Sequence, residues 1–110
     1  MPTRYRLARS DFDRMRGFIR LQGRLFSLSY GTLPGRTASG AACVVSKKVA
    51  ARAVDRNRIK RRSRAILETF ARSAKPAAVV VAYAKKGAAD ASFEETRADL
   101  ESLLARTGRN

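Results

Sequence analysis

Residues 52–70 read RAVDRNRIKRRSRAILETF, and within them Arg56, Lys60 and Arg64 recur at i, i+4 and i+8. On a helix these three cations share one face with no acid between them, and each like-charge neighbour costs a few tenths of a kcal/mol. Arg52, Arg58, Arg61 and Arg62 crowd the first thirteen residues of the segment, opposed there only by Asp55. Phosphate oxygens relieve such repulsion. An arginine-rich set suits them, because a guanidinium offers two parallel N–H donors to one phosphate. The chemistry these residues can do is polyanion binding.

The whole chain agrees. It has 110 residues, 24 of them Lys or Arg against 9 Asp or Glu, for a formal charge of +15. Nucleic acid is the leading partner. An anionic membrane is the weaker one, since no long apolar run is present. Composition alone does not separate RNA from DNA. Catalytic devices are scarce: the chain has no His, which removes a Ser-His-Asp triad and imidazole metal ligands. No glycine-rich phosphate motif occurs, and the carboxylates are scattered or bundled on a C-terminal helix where a solvated face is expected. The lone Cys43 sits in the apolar run AACVV and reads as a buried small hydrophobe, with no disulfide framework. The N-terminal MPTRYRLARSDFDRM has no apolar signal region, and Asp11 and Asp13 argue against a transit peptide, so a cytoplasmic protein is expected.

The elements that must position the cations follow from pattern. Residues 1–9 are polar and basic and are expected to be loosely ordered in a single domain spanning 1–110. A helix is predicted from Ser10, capped by Ser10 and Asp13, with Phe12, Met15 and Ile19 on one side and Gly17 weakening it. RLFSLSY alternates, with Phe26, Leu28 and Tyr30 on its apolar side. GTLPGRTASG reads as a hairpin connection to a returning strand AACVVS. On the basic helix, Ile59, Ser63, Ile66 and Phe70 fall within about 60° of one another, while Lys60, Arg64, Asn57 and Arg61 lie about 100–200° round the axis. Lys75-Pro76 marks the stop after it. VVVAYA is a strand buried on both faces. Ser92 and Glu95 form a capping box for a last helix whose apolar side is Phe93, Thr96, Leu100, Leu103 and Leu104. The expected fold is α+β, a small central sheet packed against helices in the order α-β-β-α-β-α, with room for one extra short strand before residue 25.

The segment VSKKVAARAVDRNRIKRRSR closely resembles the signature of the protein subunit of bacterial ribonuclease P. Lys47-Lys48 follow a strand, a spacer runs from Val49 to Asp55, and Arg56-Asn57-Arg58-Ile59-Lys60-Arg61 and Arg64 come next. RLARSDFDRM, VVVAYAKKGAAD and SFEETRADLESLL resemble further segments of that family, so the likeness covers nearly the whole chain. It implies a left-handed β-α-β crossover, against the usual hand. It implies a protein subunit that binds the catalytic ribonuclease P RNA and the 5′ leader of precursor tRNA, assisting Mg²⁺-dependent removal of the leader. The Mg²⁺ would serve the RNA subunit, and no tightly bound cofactor, membrane or obligate protein partner is expected.

By position, the resemblance assigns Lys47, Lys48, Arg52, Arg56, Asn57, Arg58, Lys60, Arg61 and Arg64 to RNA binding. It assigns Phe12 to a leader cleft, with Arg16 standing where a second aromatic is common. Tyr30 joins the cleft as an aromatic whose hydroxyl wants a polar neighbour. Phe26 and Leu28 are read equally well as cleft floor or as core. Arg62 replaces an apolar residue and is expected to cover the core edge with its stem while its head reaches RNA. Ser63 thins the apolar stripe and should weaken the helix-to-sheet contact. The competing readings are a structural RNA-binding protein of ribosomal type and, more remotely, a DNA or membrane binder.

Overall fold

The computed structural model describes residues 7–15, 17–36, 38–74 and 77–108. Along the chain run α1 (Arg9–Asp13), β1 (Ile19–Gln22), β2 (Phe26–Gly31), β3 (Gly40–Val44), α2 (Ala53–Ser73), β4 (Val79–Ala84), a 3₁₀ turn (Lys86–Ala89) and α3 (Phe93–Ala105). The α+β class is as expected, and β1 is the extra short strand. The expected stop at Lys75-Pro76 lies outside the described residues, as does most of the N-terminal segment read as loosely ordered. No helix among the described residues is long and apolar enough to cross a membrane.

The sheet order is β1-β2-β4-β3, antiparallel except for the parallel β3–β4 pair. The segment read as a hairpin connection therefore joins two strands that do not pair. The reason is burial. Val79, Val80, Val81 and Ala82 are enclosed on both faces of β4, and a strand apolar on both sides belongs in the middle of a sheet. β3, built from Gly40, Ala41 and Ala42, has less to bury and takes the edge. The hairpin proper is β1–β2, with Ile19 opposite Tyr30 and Gln22 opposite Ser27.

The first helix also departs from expectation. It starts at Arg9 and ends at Asp13, and it is Asp11, not Asp13, whose carboxylate accepts the Ala8 N–H at 2.7 Å. Ser10 makes no capping bond. Gly17 then adopts φ +85°, a left-handed conformation that glycine takes readily, and the chain turns into β1. Ile19 opens that strand rather than closing a helix. Phe12 and Met15 still turn their apolar sides inward, but against the sheet.

Each face of the sheet has its own cover. Phe26, Leu28, Val80 and Ala82 lie under α2 and α3, in one core with Ile59, Leu67, Leu100 and Leu103. Val79 and Val81 lie under Leu7 and Leu33, with Phe12, Met15 and Phe18 packed alongside. A Cβ at Gly31 would stand 2.6 Å from the Phe18 ring. The absent side chain is what lets that ring lie on the strand.

On α2 the buried stripe holds Ile59, Ser63 and Ile66 and widens to Leu67 and Ala71, while Phe70 is only partly buried. Ser63 is 0 % exposed and its hydroxyl makes no hydrogen bond; its polar neighbour is the Cys43 thiol, a weak donor. A buried hydroxyl without a proper partner costs about 1 kcal/mol or more. Ser63→Ala is therefore expected to raise stability by about 1 kcal/mol, seen as a higher urea midpoint with an unchanged slope. A lower midpoint would show that the thiol contact is worth more than its chemistry suggests.

The capping box of α3 forms as read: the Ser92 hydroxyl accepts the Glu95 N–H at 3.1 Å and Glu95 accepts the Ser92 N–H at 2.9 Å. The Ser92 backbone N–H first, then the Ser92 side chain and Arg24, hold the Glu95 carboxyl below its ordinary pKa. Thr96, Leu100, Leu103 and Leu104 are buried, but Phe93 is 40 % exposed. It sits in the first turn beside a groove between α2 and α3 that Phe70 also lines. The acids of α3 are not one solvated face. Asp99 turns inward and accepts three backbone N–H groups of the β1–β2 hairpin: Arg24 at 3.0 Å, Leu25 at 3.0 Å and Phe26 at 2.9 Å.

Candidate nucleic-acid interface

The basic segment sorts itself into cations the protein uses and cations it leaves to solvent. Asp55, in the first turn of α2, takes Arg58 at 3.3 Å and Arg52 at 3.5 Å. Nη1 of Arg56 donates to the carbonyls of Ala50 at 3.0 Å and Ala51 at 2.7 Å. Those carbonyls end the turn after β3, where the Val49 and Ala50 N–H groups both reach the Ser46 carbonyl. Arg56 thus pins to the helix the turn that displays Lys47 and Lys48, both exposed.

Asn57, Arg61 and Arg64 are exposed and Lys60 is half-buried; among the described residues no carboxylate pairs with these three cations. With Lys47 and Lys48 they form a strip of positive charge that no carboxylate among the described residues pairs with. Arg62 is different. Its Nη1 donates to the Ala91 carbonyl at 3.4 Å, so its head is turned to the segment before α3 instead of toward the strip. Cys43 lies beneath the strip. Burial pushes its thiol up, against the opposing pull of Ser63, Lys60 and Arg64, which leaves it a neutral thiol rather than a nucleophile.

Of the residues read as a leader cleft, Phe12 and Tyr30 are not brought together. Phe12 belongs to the Val79–Val81 side of the sheet, whereas Tyr30 packs against the core under α2 and α3. The strand's period of two puts Tyr30 with Phe26 and Leu28, and that side is the helix side; the core reading holds for all three. Arg16 lies outside the described residues. On Phe12's side the aromatics are Phe18 and Tyr83, with the Arg20 guanidinium over the Tyr83 ring at 4.5 Å from its centroid. Tyr83 was legible in VVVAYA as the alternate partner of Val81. Arg20 was hidden by the helical reading of its segment.

A family model described as Ribonuclease P matches residues 1–108. The chain belongs to the ribonuclease P protein family. No curated protein matches it. Among solved structures, the Staphylococcus aureus RNase P protein is 25% identical with a TM-score of 0.83, and the match covers 94% of each chain. A mutant of that protein with defective mRNA degradation activity is 24% identical, TM-score 0.85, over 96% of this chain and 90% of its own. The Thermotoga maritima RNase P protein is 24% identical, TM-score 0.76, over 92% and 96%. These likenesses establish the ribonuclease P protein fold, and the RNRIKR segment of this chain lies in the first half of the helix that connects its two parallel strands.

Proposed function

We propose that this chain is the protein subunit of ribonuclease P: it binds the catalytic RNA and the 5′ leader of precursor tRNA, and assists Mg²⁺-dependent leader removal in the cytoplasm. The observation that carries the reading is the unneutralised strip of Lys47, Lys48, Lys60, Arg61 and Arg64, with Asn57 among them, on a chain of this family. Arg52, Arg58 and Arg56 serve the same surface in a second way, by holding the helix start and the turn before it. The leader is assigned to the sheet face on Phe12's side. The metal is assigned to the RNA subunit, where Mg²⁺ would activate water and leaving group; the protein's part is to hold RNA phosphates and the unpaired leader.

Cleavage of precursor tRNA by a bacterial ribonuclease P RNA at low Mg²⁺ should rise strongly when the protein is added. Binding to that RNA should fall steeply with salt, with a log–log slope of about −4 if all five cations engage phosphates. Tight binding without stimulation would favour a structural RNA-binding role instead, and neither binding nor stimulation would overturn the assignment.

A further inference from the structure

The strand register lays out the sheet face that α2 and α3 do not cover. One row runs Arg20–Ser29–Val81–Ala42, and the next runs Gln22–Ser27–Tyr83–Val44. Phe12, Met15 and Phe18 pack against the Val79–Val81 side of this face. The apolar cover reaches Tyr83 in the second row, whose two ends, Gln22 and Val44, stay exposed. Tyr83 is the aromatic of that row and is half-buried, with the small Ser27 opposite it and Ser29 one row on, both buried.

Arg20 reaches across from β1 and places its guanidinium over the Tyr83 ring. Among the described residues it pairs with no carboxylate and donates no hydrogen bond. A guanidinium held over an aromatic ring keeps a second planar face and its N–H edge for something else. An unpaired nucleobase fits that face, and the phosphate attached to it fits the edge. Beyond Val44 the chain continues directly into the turn carrying Lys47 and Lys48, which extends the positive path from this end of the sheet toward α2.

We propose that Arg20, supported by Tyr83, is a stacking platform for one nucleobase of single-stranded RNA. The proposal deepens the function above by naming a contact for the precursor's unpaired leader, and it rests on that reading for its substrate. Tyr83 is the positioning residue and Arg20 the one that touches RNA.

The test uses the holoenzyme with precursor tRNA carrying either a leader of several nucleotides or one trimmed to a single nucleotide. Arg20→Ala and Arg20→Lys should each raise KM for the long-leader substrate about tenfold, the size of one lost base stack, with little change for the trimmed one. Arg20→Lys is decisive because it keeps the charge and loses the plane; a wild-type KM for Arg20→Lys would overturn stacking in favour of a simple phosphate contact. Tyr83→Phe should behave as wild type and Tyr83→Leu as Arg20→Ala. A long leader with abasic nucleotides should abolish the difference between wild type and Arg20→Ala, and a difference that persists would overturn the proposal. Independently, a single-stranded oligoribonucleotide containing 2-aminopurine should be quenched by wild-type protein alone and not by Arg20→Ala. Equal quenching by both would overturn the platform even if the holoenzyme is stimulated, whereas a wild-type protein that quenches the base but fails to stimulate cleavage would support the platform and reject the proposed function.

Discussion

Reversing Arg61 and Arg64 together to glutamate is expected to weaken binding to the ribonuclease P RNA by about a hundredfold or more. Each position loses a charge-assisted phosphate contact, a contact class typically contributing about 1.5 kcal/mol or more, and gains a like charge facing phosphate. The magnitude of the salt slope should drop by about two as two counterion-releasing contacts disappear. Stability should not suffer. Both residues are exposed and pair with no carboxylate among the described residues, and a glutamate at 64 would face Lys60 one turn earlier and relieve repulsion along the helix. Filter binding across a salt series, beside thermal unfolding of the same variant, separates the two quantities. Undiminished affinity with the fold intact would remove α2 from the RNA interface. Arg56→Ala makes the contrast: because Arg56 holds the Ala50 and Ala51 carbonyls, it should lower affinity and the melting temperature together.

The largest stability effect is expected at Asp99. Its Oδ1 accepts the Arg24 N–H and its Oδ2 accepts those of Leu25 and Phe26, so one carboxylate satisfies three consecutive donors of the β1–β2 hairpin. Asparagine must turn an NH₂ group toward at least one of these N–H groups, leaving donor against donor. Asp99→Asn should cost about 2–4 kcal/mol, well above a surface substitution, and lower the melting temperature by roughly 10–20 °C for a domain of this size. Gly23 belongs to the same unit, since a Cβ there would meet the Asp99 oxygens at 2.8 and 2.9 Å and Leu103 at 3.0 Å. Gly23→Ala should therefore be costly alone but add little to Asp99→Asn, because both break one contact. Full additivity in the double-mutant cycle would show that the two act separately.

What the sequence disclosed was mostly local. The Ser92–Glu95 box closes over three residues, and both partners are in plain view. The Val79–Val81 run announces its own burial on both faces. The RNRIKR segment declares a basic helix by spacing. The failures involve distance along the chain. Asp99 sits among glutamates and looks solvated, yet its donors lie 73 to 75 residues earlier. Tyr30 was placed correctly with Phe26 and Leu28, but which side of the strand the helices would cover depends on packing that no short window contains. Phe12, Met15 and Ile19 fit a helical period, while the positive φ of Gly17 shows that period to be coincidental. For a related reason, nothing local tells that Arg56 will turn back to two carbonyls, or that Arg62 will reach Ala91.

The central place of β4 bears on how the chain can be made. β2 and β3 leave the ribosome before β4 and do not pair with each other, so until β4 emerges only the β1–β2 hairpin can close. An isolated two-stranded hairpin is marginal at best. β3 meanwhile waits as an open edge, with the whole of α2 synthesised behind it. The sheet must therefore assemble in one late step, when β4 slots between two strands already made, with the loop-closure cost that such non-local pairing carries. A nascent chain arrested before β4 should remain protease-sensitive along its length, whereas one arrested after α3 has cleared the exit tunnel should become resistant all at once.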